Sequence, residues 1–128
     1  MTLALATCSY AEHRPEYGAA VRTTVGAPRW RLPYALAGRL PEVTPERAWL
    51  GLDEADYRPL YLEKLERAGL DGILRAAQAI ADAAGTDRLV LLCFDRLNRP
   101  DTWCHRQHLR EWLAGHGLDD VPELGATS

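Results

Sequence analysis

Two cysteines, a histidine, an arginine and an aspartate stand close together in the last third of this sequence. Cys93 and Asp95 follow an apolar run, and Cys104-His105-Arg106 comes after a polar stretch. A thiol beside cationic side chains at the start of a helix has a lowered pKa and is nucleophilic near neutral pH. We therefore predict that Cys104 is a nucleophile or redox centre, with His105 and Asp95 as the other catalytic candidates.

The same helix start also suits an anionic ligand without covalent chemistry. Free backbone N–H groups and the positive end of the helix dipole attract anions, and the Arg106 guanidinium suits a phosphate or carboxylate. Arg106 and Cys93 are therefore candidate ligand-binding residues. From the sequence we favour a small domain that binds or processes a nucleotide or nucleic-acid-like anionic ligand here. A thiol-dependent enzyme is the alternative, so enzymatic activity stays open.

Two further interpretations concern the same cluster. Cys93, Cys104, His105 and His108 have the side chains of zinc ligands, but adjacent Cys104 and His105 do not match the spacing of a zinc finger or ribbon. We therefore predict no metal site and no other cofactor. In the last interpretation the cysteines are structural, and the chain is a small interaction module that binds a protein partner.

Cys8 and Ser9 follow the first predicted strand, just as Cys93 ends a later one. In open parallel sheets, ligands bind outside the carboxyl ends of the strands. If these two strands are neighbours, both cysteines lie at the same edge of the sheet. Cys8 and Ser9 are therefore added to the ligand-binding candidates.

The stretch at about 26–54 is rich in proline and glycine, so it is expected to contain little regular structure. Its first half combines arginines and aromatic residues without an acidic side chain. Such a combination is typical of single-stranded nucleic-acid or nucleotide recognition, so Arg29, Trp30 and Tyr34 are candidate ligand-binding residues. The alternative is that the aromatic side chains only cover the sheet.

The cluster also carries a family resemblance. Leu92-Cys93-Phe94-Asp95 followed by Cys104-His105-Arg106 resembles the C-terminal signature of the domain of unknown function 488 family. Further upstream, Thr7-Cys8-Ser9 stands where that family usually has Gly-His-Ser, and Val21-Arg22 and Pro28 are similar to its Asp-Val-Arg and Pro stretch, with Ala20 in place of the Asp. The resemblance implies an α/β/α fold and a prokaryotic or phage origin, and it implies no defined activity.

The elements that must position these residues alternate between strands and helices. Apolar residues recur at helical spacing over 57–68 and 70–84, and Asp56 and Asp101 are expected to cap the first and last helix. The predicted strands are at 2–7, 21–25, 88–93 and 121–124. This order predicts an α/β fold, a three-layer α/β/α arrangement with a small, mostly parallel sheet.

Length and composition limit the class of protein. The 128 residues are 47% hydrophobic with a net charge of −3, which fits one domain over 1–128 and excludes a strongly basic nucleic-acid-binding protein. Three cysteines leave at least one unpaired, which argues against a secreted disulfide framework. There is no apolar run of about 20 residues for a membrane helix and no signal-peptide pattern. We therefore predict a cytoplasmic protein without membrane contact.

Overall fold

The computed structural model describes residues 2–94 and 103–125. Four strands form one sheet in the spatial order β1-β4-β2-β3: β1 (Ala4–Ser9), β2 (Ala19–Arg22), β3 (Leu36–Arg39) and β4 (Arg88–Cys93). The three α-helices are α1 (Glu54–Ala68), α2 (Leu70–Ala84) and α3 (His105–Gly115). Short 3-10 helices occur at Pro15–Tyr17, Pro41–Val43 and Arg47–Trp49. All three strand pairings are parallel, so the predicted small α/β fold is confirmed.

The direction of the connections explains why all three α-helices pack into one core. The connections from β1 to β2 and from β2 to β3 cross the sheet in one direction, and the connection from β3 to β4 returns. If every crossover has the same hand, the returning connection, which contains α1 and α2, lies on the opposite face from the first two. After β4 the chain continues in the same direction as the connection from β3 to β4. It passes through α3 and reaches Glu123, which forms a bridge to Thr7 of β1.

The two faces of the sheet are covered differently. On one face, Leu5, Val21, Leu89 and Leu91 pack against the three α-helices in the larger core. On the other face, the apolar residues of the strands are covered by side chains from loops and from the first 3-10 helix, namely Tyr10, Tyr17, Leu32, Tyr34 and Leu124. The third layer of the expected arrangement therefore consists of loop and 3-10 structure, because the connections 10–18 and 23–35 hold no α-helix.

Helix α2 and strand β4 have the boundaries that the sequence predicts, while the caps of the other two helices differ from the expectation. Asp53, rather than Asp56, caps α1, and its carboxylate accepts a hydrogen bond of 2.9 Å from the backbone N–H of Asp56. Cys104, rather than Asp101, is the N-cap of α3. Asp101 itself lies outside the described residues.

The irregular stretch at 26–54 contains a strand that the sequence analysis missed. In β3, a Cβ atom at Gly38 would lie 3.0 Å from Cγ2 of Ile80, so the glycine permits α2 to approach the strand closely. The strand predicted at 121–124 is reduced to the single bridge between Glu123 and Thr7. Two 3-10 helices in the same stretch, at 41–43 and 47–49, lead the chain into α1.

Candidate functional site

A cavity of about 510 Å³ lies at the carboxyl ends of β2 and β4. These strands are neighbours, and the chain leaves them toward opposite faces of the sheet, which is where ligands bind in open α/β sheets. The wall includes residues 24–26 after β2, Cys93 and Phe94 at the end of β4, and 103–105 at the start of α3. The part of the lining that belongs to described residues contains no charged side chain.

A disulfide between Cys93 and Cys104 forms part of this wall. Cys104 is therefore not a free thiol in this structure, and its role as a nucleophile or redox centre stays a prediction. The bond forms because β4 ends at Cys93 and α3 begins directly after Cys104, which places the two side chains together. Cys8 is the unpaired cysteine that the odd count predicts.

Cys104 is the N-cap of α3. With Asp101 as the cap, the sequence analysis had placed Cys104 inside the first turn of the helix. Its sulfur accepts from the backbone N–H of Gln107, and the Gln107 side chain accepts a hydrogen bond of 2.9 Å from the backbone N–H of Cys104. This reciprocal capping box satisfies two backbone donors within the helix itself. Fewer donors are therefore free for the anion that the sequence analysis placed here.

Hydrogen bonding fixes the protonation pattern of the His105 ring. The Thr23 hydroxyl donates its only proton to the carbonyl of Leu92 at 2.7 Å, so it must accept from Nε2 of His105, which lies 3.1 Å away. Nδ1 therefore carries a lone pair. It lies 3.6 Å from Sγ of Cys93 and 3.7 Å from Sγ of Cys104.

The ring is neutral at physiological pH. Burial lowers the pKa of His105 to about 3, and the positive charge of Arg106 and the neighbouring His108 act in the same direction, against the hydrogen bond with Thr23. A neutral ring with a fixed lone pair accepts a hydrogen bond from a thiol and does not act as an imidazolium ion. As a catalytic candidate, His105 is therefore placed to accept a proton or hydrogen bond at Nδ1.

Arg106 points away from the cavity. It is fully buried, and its Nε donates to Oε1 of Glu123 at 2.8 Å while a terminal nitrogen donates to Oε2 at 3.3 Å. Glu123 also accepts from the Thr7 hydroxyl at 2.8 Å. The arginine therefore clamps α3 to the segment beside β1, and the expected ligand contact of Arg106 is not found in this cavity.

Strands β1 and β4 are neighbours, as the assignment of Cys8 and Ser9 requires, but neither residue lines the cavity. Cys8 belongs to the core on the second face, is fully buried, and has its pKa raised to about 11, chiefly by burial and then by the charge of Glu123. The Ser9 hydroxyl donates to Oε1 of Glu12 at 2.7 Å.

The three ligand-binding candidates from the 26–54 stretch, Arg29, Trp30 and Tyr34, do not lie together at the cavity. The Tyr34 hydroxyl donates to the carbonyl of Tyr10 at 2.7 Å, and the side chain covers the second face of the sheet. Trp30 is half-exposed and its ring centroid lies 6.1 Å from that of Phe94 in the cavity wall. Arg29 is exposed. Only Trp30 is thus brought to the site, and Asp95 lies outside the described residues.

Sequence reasoning missed the two residues that give the site its character. Thr23 was assigned only to a strand, yet it fixes the His105 tautomer. Phe94 was part of a motif but had no role, and it is an exposed aromatic residue in the wall. For Phe94 the available signal was its position directly after a predicted strand, because such positions reach the binding edge of a parallel sheet. Thr23 gave no such signal, because the strand predicted at 21–25 ends at Arg22 in the structure.

Of the four zinc-ligand residues considered, three come together. The sulfurs of Cys93 and Cys104 and one ring nitrogen of His105 all lie within 4.8 Å of one another. His108 lies apart from them, with Nε2 at 3.1 Å from a Glu54 carboxylate oxygen.

No protein-family model, curated protein or solved structure matches this chain. The likeness to the domain of unknown function 488 family therefore rests on the quoted residues alone. Within the described residues, no helix has the length and apolar character needed to cross a membrane.

Proposed function

We propose that this protein is a thiol–disulfide redox protein whose Cys93–Cys104 pair reacts at the cavity. One observation carries the proposal: both half-cystines and His105, whose lone pair is directed at the two sulfurs, line the same cavity. A cytoplasmic location remains part of the proposal. It fits this chemistry, because disulfides in that compartment are usually transient and serve catalysis or redox sensing.

The reaction is an exchange with a dithiol. A thiolate of the dithiol attacks one sulfur and breaks the Cys93–Cys104 bond, which gives a mixed disulfide. The second thiolate of the dithiol then attacks the mixed disulfide. The dithiol leaves as an intramolecular disulfide, and the protein is left with two reduced cysteines. The two protons of the dithiol end on Cys93 and Cys104, and Nδ1 of His105 is placed to accept a hydrogen bond from either S–H group.

The kinetics of reduction by dithiothreitol test the proposal. We expect the rate for the folded protein to increase in proportion to dithiothreitol concentration, because the disulfide is reached through the cavity. A rate that does not depend on the reagent, or reduction only after unfolding, would show that the bond is sealed and structural. Cys8→Ser serves as the control, since Cys8 belongs to the opposite face and its loss should leave the rate unchanged.

His105 supplies a second measurement on the same reaction. His105→Leu removes the acceptor that stabilises the reduced pair, and one lost hydrogen bond of about 1 kcal/mol corresponds to about fivefold in the redox equilibrium toward the disulfide. His108→Leu is the matched control, because that ring contacts Trp103 and Glu54 and not the sulfurs. Equal redox equilibria in the two variants would remove His105 from the proposal.

We also propose that the ligand of the cavity is planar and largely uncharged. Leu50, Phe94 and Trp30 are exposed by 56%, 40% and 48%, and the first two belong to the wall. An exposed aromatic surface stacks well on a nucleobase, but the described lining offers no cation for a phosphate. Of the anionic nucleotide expected from the sequence, the described part of the lining supports the base.

Fluorescence titration with adenosine and adenosine monophosphate tests this ligand class. We expect similar affinity for the two compounds, and weaker binding of both to Phe94→Ala. Affinity that increases at least about tenfold with the phosphate, equivalent to about 1.4 kcal/mol, would restore the anionic ligand. If neither compound binds, nucleosides are removed from consideration.

A further inference from the structure

The chemistry of Cys93, Cys104 and His105 is not limited to the disulfide. Two sulfurs and a ring nitrogen that carries a lone pair converge within 4.8 Å, and all three residues are buried. Thiolate and neutral imidazole are the ligands that zinc prefers in proteins. Once the S–S bond is reduced, the same three atoms form a ready set of donors.

The hydrogen bonds around His105 are already arranged as they are around a metal-bound histidine. A ligating histidine usually donates its other ring N–H to a fixed acceptor, which sets the tautomer and the ring orientation. Thr23 provides this acceptor for Nε2 of His105, and Thr23 is in turn held by its hydrogen bond to the Leu92 carbonyl. Nδ1 therefore faces the sulfurs with its lone pair before any ion arrives.

The backbone spacing also suits two separate thiolates. The Cα atoms of Cys93 and Cys104 are 7.2 Å apart, whereas disulfides usually have Cα separations of about 4.4–6.8 Å. Reduction therefore leaves the two side chains with room for an ion between them. The cavity lies on the open side of the group, where a fourth ligand from solvent would bind.

We propose that the reduced protein binds one zinc ion through Cys93, Cys104 and His105, with the fourth coordination position open to the cavity. Three protein ligands and an open position are typical of catalytic rather than structural zinc sites. Exchange with a small disulfide, which takes two electrons from the two thiolates and two protons from water and leaves as a dithiol, restores the Cys93–Cys104 bond and releases the ion. This inference goes beyond the proposed disulfide exchange and requires only that the bond can be reduced.

The test uses the full chain and cobalt(II) as a spectroscopic probe for zinc. A phosphine reductant takes an oxygen from water and becomes a phosphine oxide, while the two cysteines gain two electrons and two protons. After the reductant is removed, binding of one cobalt ion should release those two protons and produce thiolate-to-cobalt charge-transfer absorption. The oxidised protein should produce none, and this comparison needs no mutation.

Variants separate the ligands from their surroundings. Cys93→Ser and Cys104→Ser should each lose charge-transfer intensity, and Cys8→Ser should keep all of it. Thr23→Val should weaken zinc binding by about 10- to 100-fold through the orientation of His105. Thr44→Val is its matched control, because Thr44 is a buried hydroxyl that bonds only the Leu40 carbonyl among the contacts described.

Two outcomes would overturn the inference: no charge-transfer absorption in the reduced wild type, or the same spectrum in the reduced Cys93→Ser/Cys104→Ser double variant. Circular dichroism of each sample excludes loss of fold as the cause. Metal binding and disulfide exchange fail independently. If the protein exchanges with dithiothreitol but does not bind cobalt, only the metal site is disproved. If it binds cobalt but does not exchange with dithiothreitol, only the redox proposal is disproved.

Discussion

The neighbouring strands β1 and β4 each have a cysteine near their carboxyl end, but one cysteine is sealed in a core and the other lies beside the cavity. At the end of β1, Cys8 is sealed in the second face of the sheet, and the nearby Arg106 is fully buried with its guanidinium bound to Glu123. At the end of β4, Cys93 is bonded to Cys104 beside a cavity, and His105 directs a lone pair at both sulfurs. Side chains alternate between the faces of a strand, so strand register alone separates a thiol that packs from one that can react.

Two adjacent residues of the Cys-His-Arg tripeptide show the same difference between the two regions. His105 faces the β4 region and Arg106 faces the β1 region, although the two residues are adjacent in sequence. Consecutive residues on a helix point in directions about 100° apart, which is enough to place one beside the cavity and the other against Glu123. We therefore expect mutations in the β1 region to change stability, and mutations in the β4 region to change chemistry.

The largest expected effect is on the buried ion pair in the β1 region. Glu123→Gln removes the carboxylate charge that the buried Arg106 guanidinium contacts at 2.8 Å, which should lower the free energy of unfolding by about 3–5 kcal/mol. Glu111→Gln is the control, because its pair with Arg58 is exposed and worth about 1 kcal/mol or less. Both are measured by urea unfolding. If the two substitutions lower the free energy of unfolding equally, the buried pair stabilises the protein no more than the exposed pair, and the predicted role of the β1 region in stability is wrong.

Next in size is the difference in thiol reactivity. Burial and Glu123 raise the pKa of Cys8 from 9.0 to about 11, which reduces its thiolate fraction about 100-fold. In the reduced, folded protein at pH 8, iodoacetamide should therefore modify Cys8 at least about 100-fold more slowly than in urea. Peptide mass spectrometry measures each site. If Cys8 reacts as fast as Cys93 or Cys104, the two strand ends do not differ in the way described.

The effect that is smallest per pH unit is a pH dependence of stability in the oxidised, metal-free protein. His105 has a folded-state pKa of about 3, so between about pH 6.5 and pH 3 the unfolded chain binds one more proton. Its contribution is complete above about pH 6.5 and falls by about 1.4 kcal/mol per pH unit on acidification.

Urea unfolding at several pH values checks this slope against two variants. His105→Gln should reduce the slope by about 1.4 kcal/mol per pH unit, because its ring no longer titrates. His116→Gln, at the half-exposed C-cap of α3, should retain it. An unchanged slope in His105→Gln would assign the acid sensitivity to other groups, of which His13 and His108 also have lowered pKa values.

The parts of the fold that follow from local pattern could be predicted. Strand β4 is covered on both faces, so it is apolar from Leu89 to Cys93 and is recognisable from the sequence alone. Helix α2 has an apolar stripe and ends at Gly85, whose left-handed conformation favours glycine. Cys104 was missed as the cap of α3 because serine, threonine, aspartate and asparagine are the usual N-caps, which directed attention to Asp101.

The site could be located but not understood from the sequence, because its decisive contacts join distant positions. The hydrogen bond that fixes His105 comes from Thr23, 82 positions away in the chain. Arg106 was expected at a ligand because nothing in the pattern of residues 121–124 reveals that Glu123 is its partner. The disulfide required knowing that the end of β4 and the start of α3 meet, and sequence spacing does not supply that distance.

The position of β4 has a consequence for how the chain folds. In the described sheet, β4 lies between β1 and β2, so β1 has no strand partner until residues 88–93 have been synthesised and inserted. Such long-range pairing slows folding, and the exposed edge of β1 must be protected meanwhile. The cavity requires the strand that arrives last and the helix after it, so a chain that stalls before this insertion has neither the complete sheet nor the site.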